Sequence, residues 1–222
     1  MTRTTNARIA GFTFLFYIAV AFPGMVLMNR ATTAEGTVAK LARIAEHATD
    51  VRIAVLLSLA GCLAALVLAV TLYAMTREQD ADLAMLGLVC RVGEGVTGAV
   101  SIPAALGLLW LATATGADAP DTSVARTLGG FLLERNPLVG ATLFALGSSC
   151  FSYLFLRGRM IPVSLAWLGV VASLLLVGGL PLQLAGFLRG PITSVMWLPM
   201  AAFEVPLGLW LLIKGVAAPA TR

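Results

Sequence analysis

The chain has 222 residues, 59% of them hydrophobic and 12% charged, with mean hydropathy +0.93 and net charge +4. A soluble domain carries about 25% charged residues, so this composition excludes an ordinary soluble fold and points to the membrane. The basic balance does not imply a nucleic-acid partner, because Lys and Arg sit at the ends of apolar runs, where they set topology and meet anionic headgroups.

The length accommodates one integral membrane domain over residues 1–222. Its first apolar run, Ile9 to Met28, exceeds the roughly 7–15 residues of a signal-peptide core and reads as a retained first span with a kink at Pro23. Between Asn29 and Asp50, Thr32 and Glu35 are spaced as a capping box. Val38, Leu41, Ala45 and Ala48 then recur at helical spacing among Lys40, Arg43 and Glu46. This pattern predicts an amphipathic helix at the membrane surface that runs without a break into a second span over 51–75.

A polar connector, Thr76 to Asp82, leads into a third span over 83–113, bent at Pro103. The loop from Ala114 to Asn136 holds a second amphipathic piece with Val124, Leu128, Phe131 and Leu132 on one face. Pro137 opens a fourth span over 138–156 and Pro162 a fifth over 162–188. After the turn Arg189-Gly190-Pro191, a sixth span over 192–213 closes at Lys214 and Gly215. The predicted fold is all-α: a polytopic membrane bundle of six transmembrane helices, with short amphipathic interfacial helices in loops 1 and 3.

Small residues at i, i+4 favour close packing of helices in lipid. Such sets are Ala54-Ser58-Cys62-Ala65 on the second span, Gly95 with Ala99, Ala141 with Ala145, and Gly169 with Ser173. All three cysteines, Cys62, Cys90 and Cys150, lie in apolar runs and read as packing thiols. The one histidine, His47, is in a polar loop. No Cys or His recurs at ligand spacing and no pair of axial histidines exists, so no metal or other cofactor is expected.

Orientation rests on flanking charge. One face carries Arg3, Arg8, Arg77, Arg157, Arg159, Lys214 and Arg222; the other carries Arg30, Lys40, Arg43, Arg52, Arg126, Arg135 and Arg189. The first set occupies shorter segments next to the spans, which favours cytoplasmic termini. Trp110 and Trp197 then fall at the outer interface, Trp167 and Trp210 at the inner one.

Arg91 and Glu94 interrupt the third span and Glu204 the sixth. A charge at the bilayer centre costs about 2.5–3.5 kcal/mol on insertion scales, so such residues find partners. At 1.5 Å per residue Arg91 lies about 13 Å, Glu94 about 18 Å and Glu204 about 15 Å from the cytoplasmic ends of their spans. One common depth predicts an Arg91–Glu204 bridge between spans three and six, with Glu94 as second partner. Pro103, Pro181, Pro199 and Pro206 free the carbonyls of Ala99, Val177, Val195 and Ala202, while Ser148, Ser149, Tyr153 and Gln183 offer further polar contacts. The set predicts a polar mid-membrane pocket of Arg91, Glu94, Glu204, Ser148, Ser149, Tyr153 and Gln183.

Three functions fit that set: binding or moving a small molecule or lipid, an ion pair that only locks helices together, and an intramembrane enzyme using the carboxylates. No catalytic residue is assigned. Ser148 and Ser149 have no histidine at depth, and the glycines around Glu94 are not followed by the Lys-Ser/Thr of a phosphate loop. Glu94 and Glu204 each have Gly four residues on, Gly98 and Gly208, and each ends a set of three spans. Inverted transporter repeats place sites at such positions. Membrane lipids and a small-molecule ligand are the partners expected.

Several motifs resemble a bacterial membrane family, domain of unknown function 4386. They are Ala7-Arg8-Ile9-Ala10-Gly11-Phe12, Arg91-Val92-Gly93-Glu94, Gly147 to Tyr153 with Ile161-Pro162 and Leu168-Gly169, and Glu204 followed by Gly208 to Gly215. The resemblance covers nearly the whole chain and implies a six-helix protein of the bacterial inner membrane, with no reaction supplied. It groups Arg8, Arg91, Glu94 and Glu204 as a set.

Overall fold

A computed structural model describes residues 2–116, 119–134 and 136–217. Within them the helices are α1 (Arg3–Thr32), α2 (Thr37–Glu46), α3 (Ala48–Thr76), α4 (Ala81–Thr113), α5 (Thr122–Leu133), α6 (Leu138–Arg157), α7 (Val163–Leu184), α8 (Ile192–Val195) and α9 (Leu198–Ile213). Six segments are long and apolar enough to cross a membrane, α8 and α9 together forming the sixth. Helix is the form these runs must take, since hydrocarbon offers no partner for a backbone N–H outside its own segment.

Each crossing packs on the next in chain order: α1 on α3, α3 on α4, α4 on α6, α6 on α7 and α7 on α9. The last returns to α1, which closes a ring. Its interior is filled by Phe14, Leu68, Leu72, Phe151, Phe155, Leu176, Phe203 and Leu207, all buried. The outer faces stay apolar too, as Leu56, Leu63, Val67 and Val70 along α3 illustrate, and these are the lipid-facing positions. Closure of α9 on α1 depends on Gly11, where a Cβ would fall on the backbone of Leu212 and 2.6 Å from the Gly208 carbonyl.

Two polar ties hold the end of the ring that carries the N-terminus. Arg3 Nη2 donates to the Met75 carbonyl at 2.7 Å. Asp80 caps α4 by accepting from the Leu83 N–H at 3.1 Å, and its other oxygen meets Arg157 Nη1 at 3.1 Å. The Leu83 N–H first, and then Arg157, hold the Asp80 carboxyl below the usual carboxylate range.

The structure corrects four expected boundaries. α1 continues to Thr32, whose hydroxyl donates back to the Met28 carbonyl at 2.8 Å, so Thr32 extends the first helix and caps nothing. The cap of α2 is Gly36 at φ 78°, a backbone only glycine takes without strain. α2 and α3 are separate helices, divided at His47 (φ −106°, ψ 31°), with His47 Nδ1 3.2 Å from Asp50. The fifth crossing stops at Leu184, and the sixth breaks at Met196-Trp197. Pro199 has no N–H to offer Val195, and the Trp197 N–H bonds back to the Ser194 carbonyl at 3.3 Å, a tightened turn that separates α8 from α9.

The break at His47 lets α2 lie across α4 and α1, where Leu41 and Ile44 are buried with Val51, Leu108, Leu109 and Leu111. α5 packs on α2, with Gly129 close to Leu41 and Thr37. Val124, Leu128 and Phe131 on α5 are exposed, while Leu132 turns inward. Arg135 and Arg222 of the charge count lie outside the described residues.

Candidate functional site

Arg91 is 1% exposed, the largest fully buried side chain among the described residues. Room for it comes from Gly147 on α6: a Cβ there would stand 3.0 Å from Arg91 Cγ and 3.2 Å from Cδ. Its guanidinium lies 4.9 Å from the ring centre of Phe144, one turn earlier on α6, a distance that favours cation–π attraction. Phe144 in turn stacks on Trp197 at 6.0 Å, at the break between α8 and α9.

The ion-pair partner of Arg91 is Glu94, with Nη1 3.1 Å from Oε2. This corrects the expected Arg91–Glu204 bridge. Glu94 sits one turn along the same helix, so it reaches the guanidinium without any adjustment between helices. Glu204 is buried on α9 and forms no ion pair among the described residues. It faces Arg91 across a cavity of about 10 Å³ that Ser148, Ser152, Phe14 and Phe203 also line. That is near the least volume that holds one water.

Glu94 has a second polar partner: Tyr17 Oη on α1 donates to Oε1 at 2.8 Å. Tyr17 belongs to no motif, and its signal is depth. It lies 14 residues into α1 and Glu94 lies 13 residues into α4, about 21 and 20 Å along their helices. Both start at the same end of the ring.

On the far side of Glu94 opens a cleft of about 630 Å³ between α1, α3 and α4. Tyr17, Glu94 and Gly95 stand at one end; Asn29, Thr32 and Lys40 stand at the other, beneath α2 and α5. Between them the walls are mostly apolar, with Ala21, Gly24, Ala54, Gly61 and Ala105 among them and the hydroxyls of Ser58 and Ser101 set into them. Ala54, Ser58, Cys62 and Ala65, expected to pack helices, all line the cleft, and Cys62 and Ala65 also touch α4 near Gly95. The volume falls within the roughly 300–1,000 Å³ of small-molecule sites.

The remaining expected site residues divide. Ser148 joins Arg91 and Glu204 at the small cavity. Ser149 is only half-buried, and its hydroxyl donates to the Ala145 carbonyl of its own helix at 2.9 Å. Tyr153 is 47% exposed on the outward face of α6. Gln183 is half-buried near the end of α7, and its Oε1 has no partner among the described residues. None of these last three lines either cavity. Arg8 is exposed, and it is Arg3 that reaches across to α3. Among the described residues no group of three His, Cys, Asp or Glu is placed to hold a metal ion.

Six apolar crossings closed around a buried ion pair define a polytopic α-helical membrane protein. The chain belongs to the family Domain of unknown function (DUF4386), whose model matches residues 9–215. No curated protein and no solved structure matches it.

Proposed function

We propose that this protein binds, and as a transporter would move, a small molecule or membrane lipid held in the cleft between α1, α3 and α4. The observation that carries the reading is an apolar cleft of about 630 Å³ ending on a buried carboxylate already oriented by Arg91 and Tyr17. Such a site combines apolar area for affinity with one placed polar group for orientation. The setting is a bacterial inner membrane with both termini cytoplasmic, a reading supported by the short arginine-bearing segments Arg3 to Arg8 and Arg157 to Arg159. Reporter fusions after residue 222 and within 114–121 test that orientation.

The binding test fills the cleft. Ala21 is exposed to it, so Ala21→Phe occupies space without displacing packed atoms. Native mass spectrometry of purified protein is expected to detect a co-purifying molecule on the wild type and none on Ala21→Phe of equal melting temperature. An equal load on both defeats the reading.

A second reading applies to the other side of Glu94. Arg91, Glu204 and Ser148 enclose space for no more than one water, which suits a lock between α4, α6 and α9. Under that reading, replacing Glu204 changes stability and leaves ligand load unchanged.

A further inference from the structure

We infer that the cleft takes a cation, specifically an amphiphile whose protonated amine docks on Glu94; this rests on the cleft being a binding site. The first support is charge. Among the described residues the buried charged side chains are Arg91, Glu94 and Glu204, one positive and two negative. Arg91 pairs with Glu94, so with both carboxyls ionised the three groups together are net negative. Buried charge left unmatched is strongly unfavourable, and an arriving cation supplies the match.

The second support is the supply of donors and acceptors at the inner end of the cleft. Among the described residues Glu94 is the one carboxylate lining it. An ionised carboxylate accepts about four hydrogen bonds, and Glu94 has Tyr17 on Oε1 and Arg91 beside Oε2. Of the hydroxyls around Glu94 three are committed, while Ser58, exposed on the α3 wall, keeps its proton free. Tyr17 gives its own to Glu94, and the Thr97 and Ser101 hydroxyls donate to carbonyls of α4. The Glu94 carboxylate itself only accepts, so a ligand group docking on it must bring protons of its own. An ammonium does so with full charge.

The third support is shape. From Glu94 to Leu108 the α4 wall runs 14 residues, about 21 Å. Gly98, Ile102 and Ala105 on α4, with Gly24 on α1 and Gly61 on α3 facing them, make the cleft largely apolar along this length, which asks for a hydrocarbon body behind the charged group. Lys40 stands at the outer end. Its like charge disfavours an ammonium left there and so orients the ligand with its amine inward.

Cys62 provides the readout, because it lines the cleft while Cys90 and Cys150 are buried. Wild-type protein in phosphatidylcholine nanodiscs is given decylammonium, decanol or decanoate at equal bilayer mole fraction. Maleimide alkylation of Cys62 is then timed, and native mass spectrometry counts the bound probe in the same samples. Decylammonium is expected to bind and protect about tenfold better than decanol, with decanoate weakest, as one charge-assisted hydrogen bond would give. In Glu94→Gln that preference is expected to vanish while decanol binding persists. Equal binding of all three probes to the wild type, as when a bound proton neutralises the cluster instead, overturns the cation assignment and leaves the cleft reading standing. No binding of any probe removes both. The wild-type comparison alone decides the matter if Glu94→Gln does not fold.

Discussion

Tyr17 Oη and Glu94 Oε1 are 2.8 Å apart, so α1 and α4 share a polar contact although α3 stands between them in the ring. The hydroxyl is the second of two groups that fix the carboxylate, and it comes from a helix that carries no buried charge of its own.

Tyr17→Phe removes that donor and little else. A hydrogen bond to a charged group contributes about 1.5–3 kcal/mol, and the variant is expected to lose that much stability. Unfolding measured by steric trapping in bicelles checks the value; an unchanged stability would mean that the contact does not form in the membrane.

Arg91→Leu leaves Glu94 buried without its counter-ion, and breaking a buried pair from one side costs about 3–5 kcal/mol. The double variant Arg91→Leu with Glu94→Leu removes both charges and is expected to be more stable than Arg91→Leu alone. A double-mutant cycle in the same unfolding assay tests this. If the double variant is the less stable of the two, Glu204 rather than Glu94 is the functional counter-ion.

Gly11→Ala pushes a methyl group into the backbone of α9, where no side chain can rotate out of the way. Overpacking of this kind costs about 1–3 kcal/mol or more. The expected outcome is a lower melting temperature and faster proteolysis between α7 and α9. Gly178→Ala, where an added Cβ meets nothing within 4 Å, serves as the matched control.

Asp80 gives a pH signature. Its carboxyl is lowered from the ordinary 3.8, so the stability it contributes is fully present above that value and disappears as pH falls through the lower, folded-state value. Asp80→Asn is expected to melt below wild type by a constant margin from pH 7 down to about 4, and the two curves should converge in more acidic buffer. Arg157→Gln should reproduce part of the margin through loss of the 3.1 Å contact.

Much of this architecture was legible from residue types. A run such as Val51 to Met75 has one structural outcome in hydrocarbon, and Arg91, Glu94 and Glu204 stand out because ions there are costly. Their pairing was not legible from depth. Depth alone made Arg91–Glu204 and Arg91–Glu94 equally reachable. The i, i+3 spacing on one helix gave the pair to Glu94, with Gly147 leaving room for the Arg91 stem and Phe144 lying 4.9 Å from its guanidinium. The cleft was hidden for a related reason. Ala54, Ser58, Cys62 and Ala65 have the spacing of a packing stripe, and whether a small residue faces a neighbour or a void depends on how far apart α1 and α4 stand. The division at His47 and the stop at Trp197 were missed because neither residue is a helix breaker. In the second case Pro199, two positions on, removes a backbone donor, but Pro103, Pro181 and Pro206 do the same inside unbroken helices, so a proline alone did not mark the break.

The order of contacts around the ring matches the order in which a ribosome releases the helices. Every crossing can settle against its predecessor as soon as it enters the bilayer, and sequence-local assembly of this sort is fast. The exception is the seam at Gly11, which waits for the final 25 or so residues of the chain. Until they arrive the nascent protein is an open arc with one glycine-notched edge, and a polypeptide truncated before Leu198 should be recognised by membrane proteases as unfinished.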